Sequence, residues 1–232
     1  MGLSGWNIPA FVVVYADGSV EVTTGGAEIG QGLYTKVAAA SAYALGCDIS
    51  LVRVSTTSTD KVPNSTCTGG SGTSESACNA AMMACETIKK RLDPHLERKY
   101  AVAKALDDNV ELAATAWNDV ESTSEFDYAT YGVGVSVVEI DCLTGRVSVV
   151  SLDVEMDQGS SLNSDLDLGQ IEGGLVMALG FYFTEIDSGD GGTWEYKPPL
   201  VSDIPLSFNV SMLGEPNPCA KAVLRSKASG EP

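Results

Sequence analysis

Two runs of β-branched residues, each interrupted by a tight-turn signal, constrain the fold of this chain more than any other feature. The first reads AFVVVYADGSVEVTT (10–24), with Asp17-Gly18 at its turn. The second reads YGVGVSVVEIDCLTGRVSVVSLDVEM (131–156). Each run is typical of a β-hairpin, because β-branched residues favour strands and a short glycine-containing loop reverses the chain between them. The chain must therefore form two antiparallel strand pairs far apart in sequence.

Three stretches have apolar residues at the spacing of a helix. The first is followed by Gly46, where a helix-terminating glycine is expected. The third begins after the start signal Asn163 and covers about 168–183. Further strands are predicted at 51–57, 206–213 and 222–226. The apolar positions of the helices are Leu33, Val37, Ala40, Ala44; Ala77, Ala81, Ala84, Ile88, Leu92; and Ile171, Leu175, Leu179, Tyr182.

These elements predict an α+β fold in which β-hairpins and helices form two α/β subdomains. The first subdomain is expected at 1–97 and the second at 131–232. Between them, 98–130 lacks sustained apolar periodicity and is predicted to be a linker.

The charge and composition of the chain exclude some classes of binding partner and cellular location. The 232 residues include 31 acidic and 14 basic side chains, a net charge of −17, which argues against nucleic acid and anionic membranes. No apolar run approaches the roughly 20 residues that span a bilayer, and no basic leader precedes one. Six cysteines without a C-x-x-C spacing favour reduced thiols. We therefore expect a cytoplasmic location.

The chain contains one histidine, His95, in the polar stretch LDPHLERK. Most nucleophile systems of the serine and cysteine hydrolases, and most zinc sites, need histidine. The sequence therefore argues against both kinds of site, and we expect no metal ligands among its side chains.

The loop CTGGSGTSES (67–76) stands directly before the second helix. A helix start carries partial positive charge and unpaired N–H groups, and glycine lets a ligand approach the backbone. The loop is therefore either a cradle for an anion or cofactor, or a surface turn that caps the helix. It matches neither the Walker loop nor G-x-G-x-x-G.

A Gly-Gln pair precedes or opens a helix in both halves, at Gly30-Gln31 and Gly169-Gln170. A glutamine side chain offers a donor and an acceptor together, which suits a heterocycle that has both on its edge.

Taken together, these segments resemble the molybdenum hydroxylases, the family of xanthine dehydrogenase and aldehyde oxidase. The resemblance is to the C-terminal part of the molybdopterin-binding domain and covers most of the chain. The matching segments are GGAEIGQGLYTK, STTSTDKVPNSTCTGGSGTSE, ACETIKKRLDP, YGVGVSVVEIDCLTGRV, MDQGSSLNSDLDLGQIEG, YKPPLVSDIP and SKASGEP.

The resemblance implies a set of site residues. In the family the matching loop and glutamines bind the molybdopterin and its phosphate, while sulfur and oxygen of the cofactor hold the metal. Glu231, in Gly-Glu-Pro, matches the glutamate that removes a proton from a hydroxyl group on molybdenum. The implied cofactor-binding residues are Gln31, Gly32, Gly69, Gly70, Ser71, Thr73 and Gln170.

The implied activity is hydroxylation of aldehydes or N-heterocycles such as purines, with oxygen derived from water. The small-molecule substrate would meet a molybdenum–molybdopterin cofactor, and the 2Fe-2S and FAD groups are expected only in N-terminal domains that this chain lacks. A homodimer is possible in the complete enzyme. Two alternatives remain open: a catalytically inactive truncated remnant, and a module that binds another phosphate-bearing ligand.

Overall fold

The computed structural model describes residues 7–93, 101–118, 127–185 and 192–230. Its α+β class agrees with the prediction. Two sheets carry the strands, and His95 and Glu231 lie outside the described residues. The strands are β1 Pro9–Val14, β2 Val20–Thr24, β3 Val52–Val54, β4 Ala113–Trp117, β5 Gly132–Ile140, β6 Val147–Asp157 and β7 Ser207–Leu213; the helices are α1 Leu33–Leu45, α2 Thr73–Leu92, α3 Ala101–Asp107 and α4 Ser164–Phe183.

Both predicted hairpins are confirmed. β1 and β2 pair antiparallel, and the Asp17 carboxylate at their turn accepts a hydrogen bond from the Ser19 N–H (2.9 Å). β5 and β6 also pair antiparallel, with Gly145 at φ +74° in the turn between them. In the second sheet β7 then adds parallel to β6, so the order is β5-β6-β7.

The larger core lies between the first sheet, in the order β3-β2-β1-β4, and the helices α1 and α2. The facing sides of these helices are rich in small residues, and Ala40, Ala81 and Ala84 are fully buried. Small side chains let two helix backbones approach closely, so these helices pack against each other as well as against the sheet. Gly46 ends α1 in the left-handed conformation, as predicted.

The segment 98–130 differs from the predicted linker. Residues 101–118 form α3 and β4, and β4 pairs antiparallel with β1. Ala105 and Ala114 from this segment are buried in the larger core. The strand reads AATAW, and alanine has little strand preference of its own. Pairing with β1 therefore creates a strand that the local pattern does not announce.

The predicted strand at 222–226 is wrong. The structure has a single tight turn at Val223–Arg225, with Leu224 and Arg225 at φ +47° and +65°. Val223 is 2% exposed and packs into the core of the first sheet, although it belongs to the second predicted subdomain. Tertiary packing has overridden the β-branched pattern here.

α4 is confirmed, but it begins at Ser164, where the Asn163 side chain caps it by accepting from Leu166 N–H (3.1 Å).

The second sheet and α4 leave a large apolar surface uncovered. Val135 and Ile140 on β5 are 62% and 61% exposed, and Phe181 and Tyr182 on α4 are 69% and 72% exposed. Of the predicted apolar stripe of α4, Ile171 is buried. Contiguous exposed apolar surface of this kind is typical of a site that contacts another molecule. None of the helices among the described residues is both long and apolar enough to cross a membrane.

Gly159 holds the C-terminal segment against the end of β6, which gives a test of the fold. It has φ +63°, and a Cβ there would stand 2.5 Å from the Arg225 carbonyl oxygen. Gly145→Ala is a matched control, since φ is +74° and nothing lies within 4 Å. We expect Gly145→Ala to cost about 1 kcal/mol of unfolding free energy through backbone strain, and Gly159→Ala to cost clearly more in urea denaturation. Equal losses would contradict the backbone contact.

Candidate functional site

A cavity of about 570 Å³ opens where the loop before α2, the α4 helix and the C-terminal segment meet. Five of the residues implied by the resemblance line it together. Gly32 and Gly70 do not line it, and Glu231 is outside the described residues, although the preceding Gly230 lines the cavity. The five that line it are Gln31, Gly69, Ser71, Thr73 and Gln170. Segments far apart in sequence thus share one cleft.

The loop before α2 turns sharply through left-handed backbone at Gly70 (φ +58°) and Ser71 (φ +50°). Helix α2 then starts after Gly72 without a side-chain cap. Because the first N–H groups of a helix have no intrahelical acceptor, this start offers amide donors and partial positive charge. Ser71 and Thr73 line the cavity at this helix start. The loop can therefore bind an anionic group through its backbone.

The start of α1 is different. The Glu28 carboxylate accepts hydrogen bonds from the N–H groups of Gly30 (3.1 Å), Gly32 (2.9 Å) and Tyr34 (3.2 Å). A Cβ on Gly32, which has φ +73°, would come within 2.2 Å of the Leu166 side chain. Gly32 therefore serves the packing of α1 near the start of α4. Glu28 thus accepts from amides at and just before the start of α1, and Asn163 caps α4. Of these three helix starts, that of α2 is the one without a side-chain cap.

The two glutamines are in different situations. The Gln31 amide braces its own loop, accepting from Ile29 N–H (2.7 Å) and donating to the Ala27 carbonyl (2.9 Å). The Gln170 amide makes no hydrogen bond to any of the described residues. A Cβ added at Gly230 would stand 3.3 Å from Gln170 Oε1 and 3.5 Å from Ser71 Oγ. The side chains of Gln170 and Ser71 therefore both lie close to Gly230.

The cavity wall contains an ion pair that the sequence analysis did not single out. Lys36 Nζ on α1 lies 2.8 Å from Asp167 Oδ1 on α4, and both side chains are nearly buried. Asp167 also accepts from the hydroxyls of Ser161 (2.6 Å) and Ser229 (3.1 Å). A charged residue within the apolar stretches GLYTK and LDLGQ was the signal that could have revealed both partners. The pair joins α1, α4 and the C-terminal segment.

A second cation, Lys227, lies in the C-terminal segment. Its Nζ donates to Asp157 (2.5 Å) and to the Ala129 carbonyl (2.9 Å), and stands 5.4 Å from the centre of the Tyr131 ring. Burial alone would raise the pKa of Asp157, but the hydrogen bonds from Lys227 and from the Gly159 N–H lower it below its ordinary value. Asp157 is therefore held ionised, and the segment is anchored to the end of β6.

Glu75 is a fourth charged residue of the cavity wall that the sequence analysis did not single out. It lies in the first turn of α2 and lines the cavity. Its carboxylate accepts from the Tyr128 hydroxyl (3.1 Å) and the Val223 N–H (3.4 Å). Burial raises the pKa of Glu75 to about 7, because two hydrogen bonds only partly replace the lost water. Its protonation therefore changes near neutral pH.

The available donors suit a ligand with phosphate and amide-like edges. The amides of the α2 start, the Ser71 hydroxyl and Lys36 can meet anionic oxygens, and the Gln170 amide can meet a heterocycle edge. Gly69 has nothing within 4 Å of a built Cβ, so backbone is open to a ligand there. Among the described residues no cluster of His, Cys, Asp or Glu is arranged to hold a metal ion.

The raised pKa of Glu75 predicts pH-dependent stability. The folded chain binds a proton that the unfolded chain lacks between pH 4.5 and about 7. This contribution is present at low pH and is lost as pH rises through 7, by up to about 3 kcal/mol. Glu75→Gln should remove that part of the pH dependence of unfolding free energy, measured by urea denaturation from pH 5 to 8. Glu86→Gln, exposed on the same helix, is the control. Identical pH profiles for both variants would contradict the assignment.

The chain matches known proteins in sequence over most of its length. Residues 3–205 match the model of the molybdopterin cofactor-binding domain. The chain is 44% identical over 247 aligned residues to the xanthine dehydrogenase of Drosophila pseudoobscura pseudoobscura and 40% identical to the indole-3-acetaldehyde oxidase of Arabidopsis thaliana. These alignments cover 96% and 97% of this chain but 18% of each relative. The chain thus spans about a fifth of the length of the curated relatives it matches.

Solved structures share the fold. Quinoline 2-oxidoreductase from Pseudomonas putida aligns over 98% of this chain with a TM-score of 0.85 and 23% identity, covering 34% of that chain. The aldehyde oxidoreductase from Desulfovibrio desulfuricans gives a TM-score of 0.82 at 24% identity, covering 99% of this chain and 27% of that one. The family model and the curated relatives establish the family: the chain belongs to the molybdopterin cofactor-binding domains of the molybdenum hydroxylases, the group of xanthine dehydrogenase and aldehyde oxidase.

Proposed function

We propose that this chain forms part of the cofactor site of an enzyme that hydroxylates aldehydes or N-heterocycles with oxygen from water. The observation that carries the proposal is one cleft that unites the uncapped start of α2, the unengaged Gln170 amide and Gly230. The curated relatives named above support the reaction class. The complete enzyme would add the 2Fe-2S and FAD domains, and the six free cysteines favour a cytoplasmic setting.

In this proposal the residues divide the binding task. The amides at the start of α2 and the hydroxyls of Ser71 and Thr73 bind the phosphate and pterin edge. Gly69 leaves room for the ligand, and Gly70 turns the loop through left-handed backbone. Gln170 reads the heterocycle directly, while Gln31 keeps the 27–31 loop in shape and can still offer one further hydrogen bond. When bound, the molybdenum cofactor supplies the centre that accepts the electrons of the substrate.

Glu231 is proposed as the general base of the reaction. Gly230, which precedes it, lines the cavity close to Gln170 and Ser71. A carboxylate has an ordinary pKa near 4.3, and removal from water raises it towards the range useful for accepting a proton at neutral pH. The base would take its proton from the attacking hydroxyl group.

Cofactor retention tests the binding roles. We would produce the longest in-frame polypeptide that contains this chain in a host that makes molybdopterin, and measure molybdenum and pterin per mole of protein. Ser71→Ala and Gln170→Ala should each weaken retention about tenfold to hundredfold, as expected for a hydrogen bond to a charged group. Ser136→Ala, exposed on β5, is the control. Wild-type protein without molybdenum would favour an inactive remnant, and phosphate binding without molybdenum would favour another ligand.

Turnover tests the base. Glu231→Gln keeps the size of the side chain but cannot accept a proton. We expect unchanged molybdenum content and at least a hundredfold loss of kcat, consistent with the usual contribution of a positioned base. Full turnover by this variant would exclude Glu231 from the mechanism.

A further inference from the structure

The C-terminal segment is held at the cavity by hydrogen bonds that no part of the proposed binding scheme uses. Tyr128 has a largely buried hydroxyl that donates to Glu75 Oε2 (3.1 Å) and accepts from the Ala228 N–H (3.1 Å). The other Glu75 oxygen accepts from the Val223 N–H (3.4 Å). Two backbone amides of the segment, five residues apart, are thus fixed through one carboxylate and one phenol.

We propose that Glu75 and Tyr128 are positioning residues: they hold the segment 223–230 in the place from which Gly230 leads into the proposed base. This inference rests on the proposed function for its catalytic consequence. The geometry behind it is independent of any ligand, because every contact lies within the chain.

The position of Glu75 suits this role. It stands in the first turn of α2, next to the Gly69–Thr73 loop, so its carboxylate links the cofactor-facing loop to the C-terminal segment. The amide donors and the phenol satisfy the buried carboxylate, and breaking one contact leaves a polar group without water. On the other side of the segment, Asp167 accepts from the Ser229 hydroxyl (3.1 Å). Residues of two helices therefore hold the segment: Asp167 on α4 binds a side chain of the segment, and Glu75 on α2 binds its backbone.

The nearby charges are accounted for. Asp127 raises the pKa of Glu75 further, by like charge, while Tyr128 and the Val223 N–H lower it. The pKa of Tyr128 is raised by burial and by Glu75, so the phenol stays protonated as a donor at neutral pH. The donor therefore stays in place across the pH range in which Glu75 changes charge.

Hydrogen exchange tests the clamp without any need for a cofactor. In the longest in-frame polypeptide, Tyr128→Phe removes one hydroxyl and should speed exchange of the Ala228 amide about tenfold, while amides in β6 stay unchanged. Tyr43→Phe, on an exposed ring of α1, is the control. Unchanged exchange at Ala228 would overturn the proposal, whether or not the protein holds molybdenum.

Kinetics test the catalytic consequence. In molybdenum-loaded enzyme, Tyr128→Phe should lower kcat at least tenfold with KM and molybdenum content within twofold of wild type. Glu75→Gln, which keeps one acceptor oxygen, should be milder than Glu75→Ala, and Glu75→Ala combined with Tyr128→Phe should be no worse than the stronger single change. Loss of activity in step with lost molybdenum, or full kcat in Tyr128→Phe, would overturn the positioning role. Wild-type enzyme without molybdenum would instead refute the proposed function and leave the exchange test to judge the clamp.

Discussion

The docking of the C-terminal segment against both helical walls is the interaction on which the cleft depends. Residues 226–230 complete the cavity, yet they belong to neither sheet. Asp167 on α4 accepts from the Ser229 hydroxyl, and Glu75 on α2 accepts from the Val223 N–H and from Tyr128, whose hydroxyl accepts from the Ala228 N–H. Lys227 ties the segment to Asp157 at the end of β6. Removing a charged group from water costs free energy unless the group is paired. A shifted segment would leave these charges without partners, so the contacts favour a single position.

The same pairs reconcile an acidic chain with a site for an anionic ligand. A net charge of −17 repels anions at long range, but screening limits that effect beyond about 10 Å in ordinary salt. The charged side chains that line the cavity are Lys36, Lys227, Glu75 and Asp167, and each lysine is paired with a carboxylate, so the uncapped start of α2 adds unopposed partial positive charge. The groups that line the cavity therefore matter more for binding an anionic ligand than the net charge of the whole chain does.

The uncovered side of the molecule agrees with its share of the longer relatives. β5 is exposed along its whole length, and the outer face of α4 carries exposed aromatic rings. The matched relatives are about five times longer, and the matched structures about three times longer. The larger core under the first sheet, by contrast, is closed. The cavity lies between these regions, which places it beside surface available to further polypeptide.

The hairpins, the helices α1, α2 and α4 and the glycine loop could be predicted from local patterns, because each depends on residues near in sequence. The segments that match the family also contain most of the residues that line the cavity. The sequence could not reveal β4, which exists through its pairing with β1, or the turn at Val223–Arg225, which the core of a distant sheet enforces. Likewise Glu75, Lys36 and Asp167 are ordinary surface types in sequence. Local preference determined the elements; only the tertiary structure decided which charges are buried together, since their partners lie as many as 148 residues away.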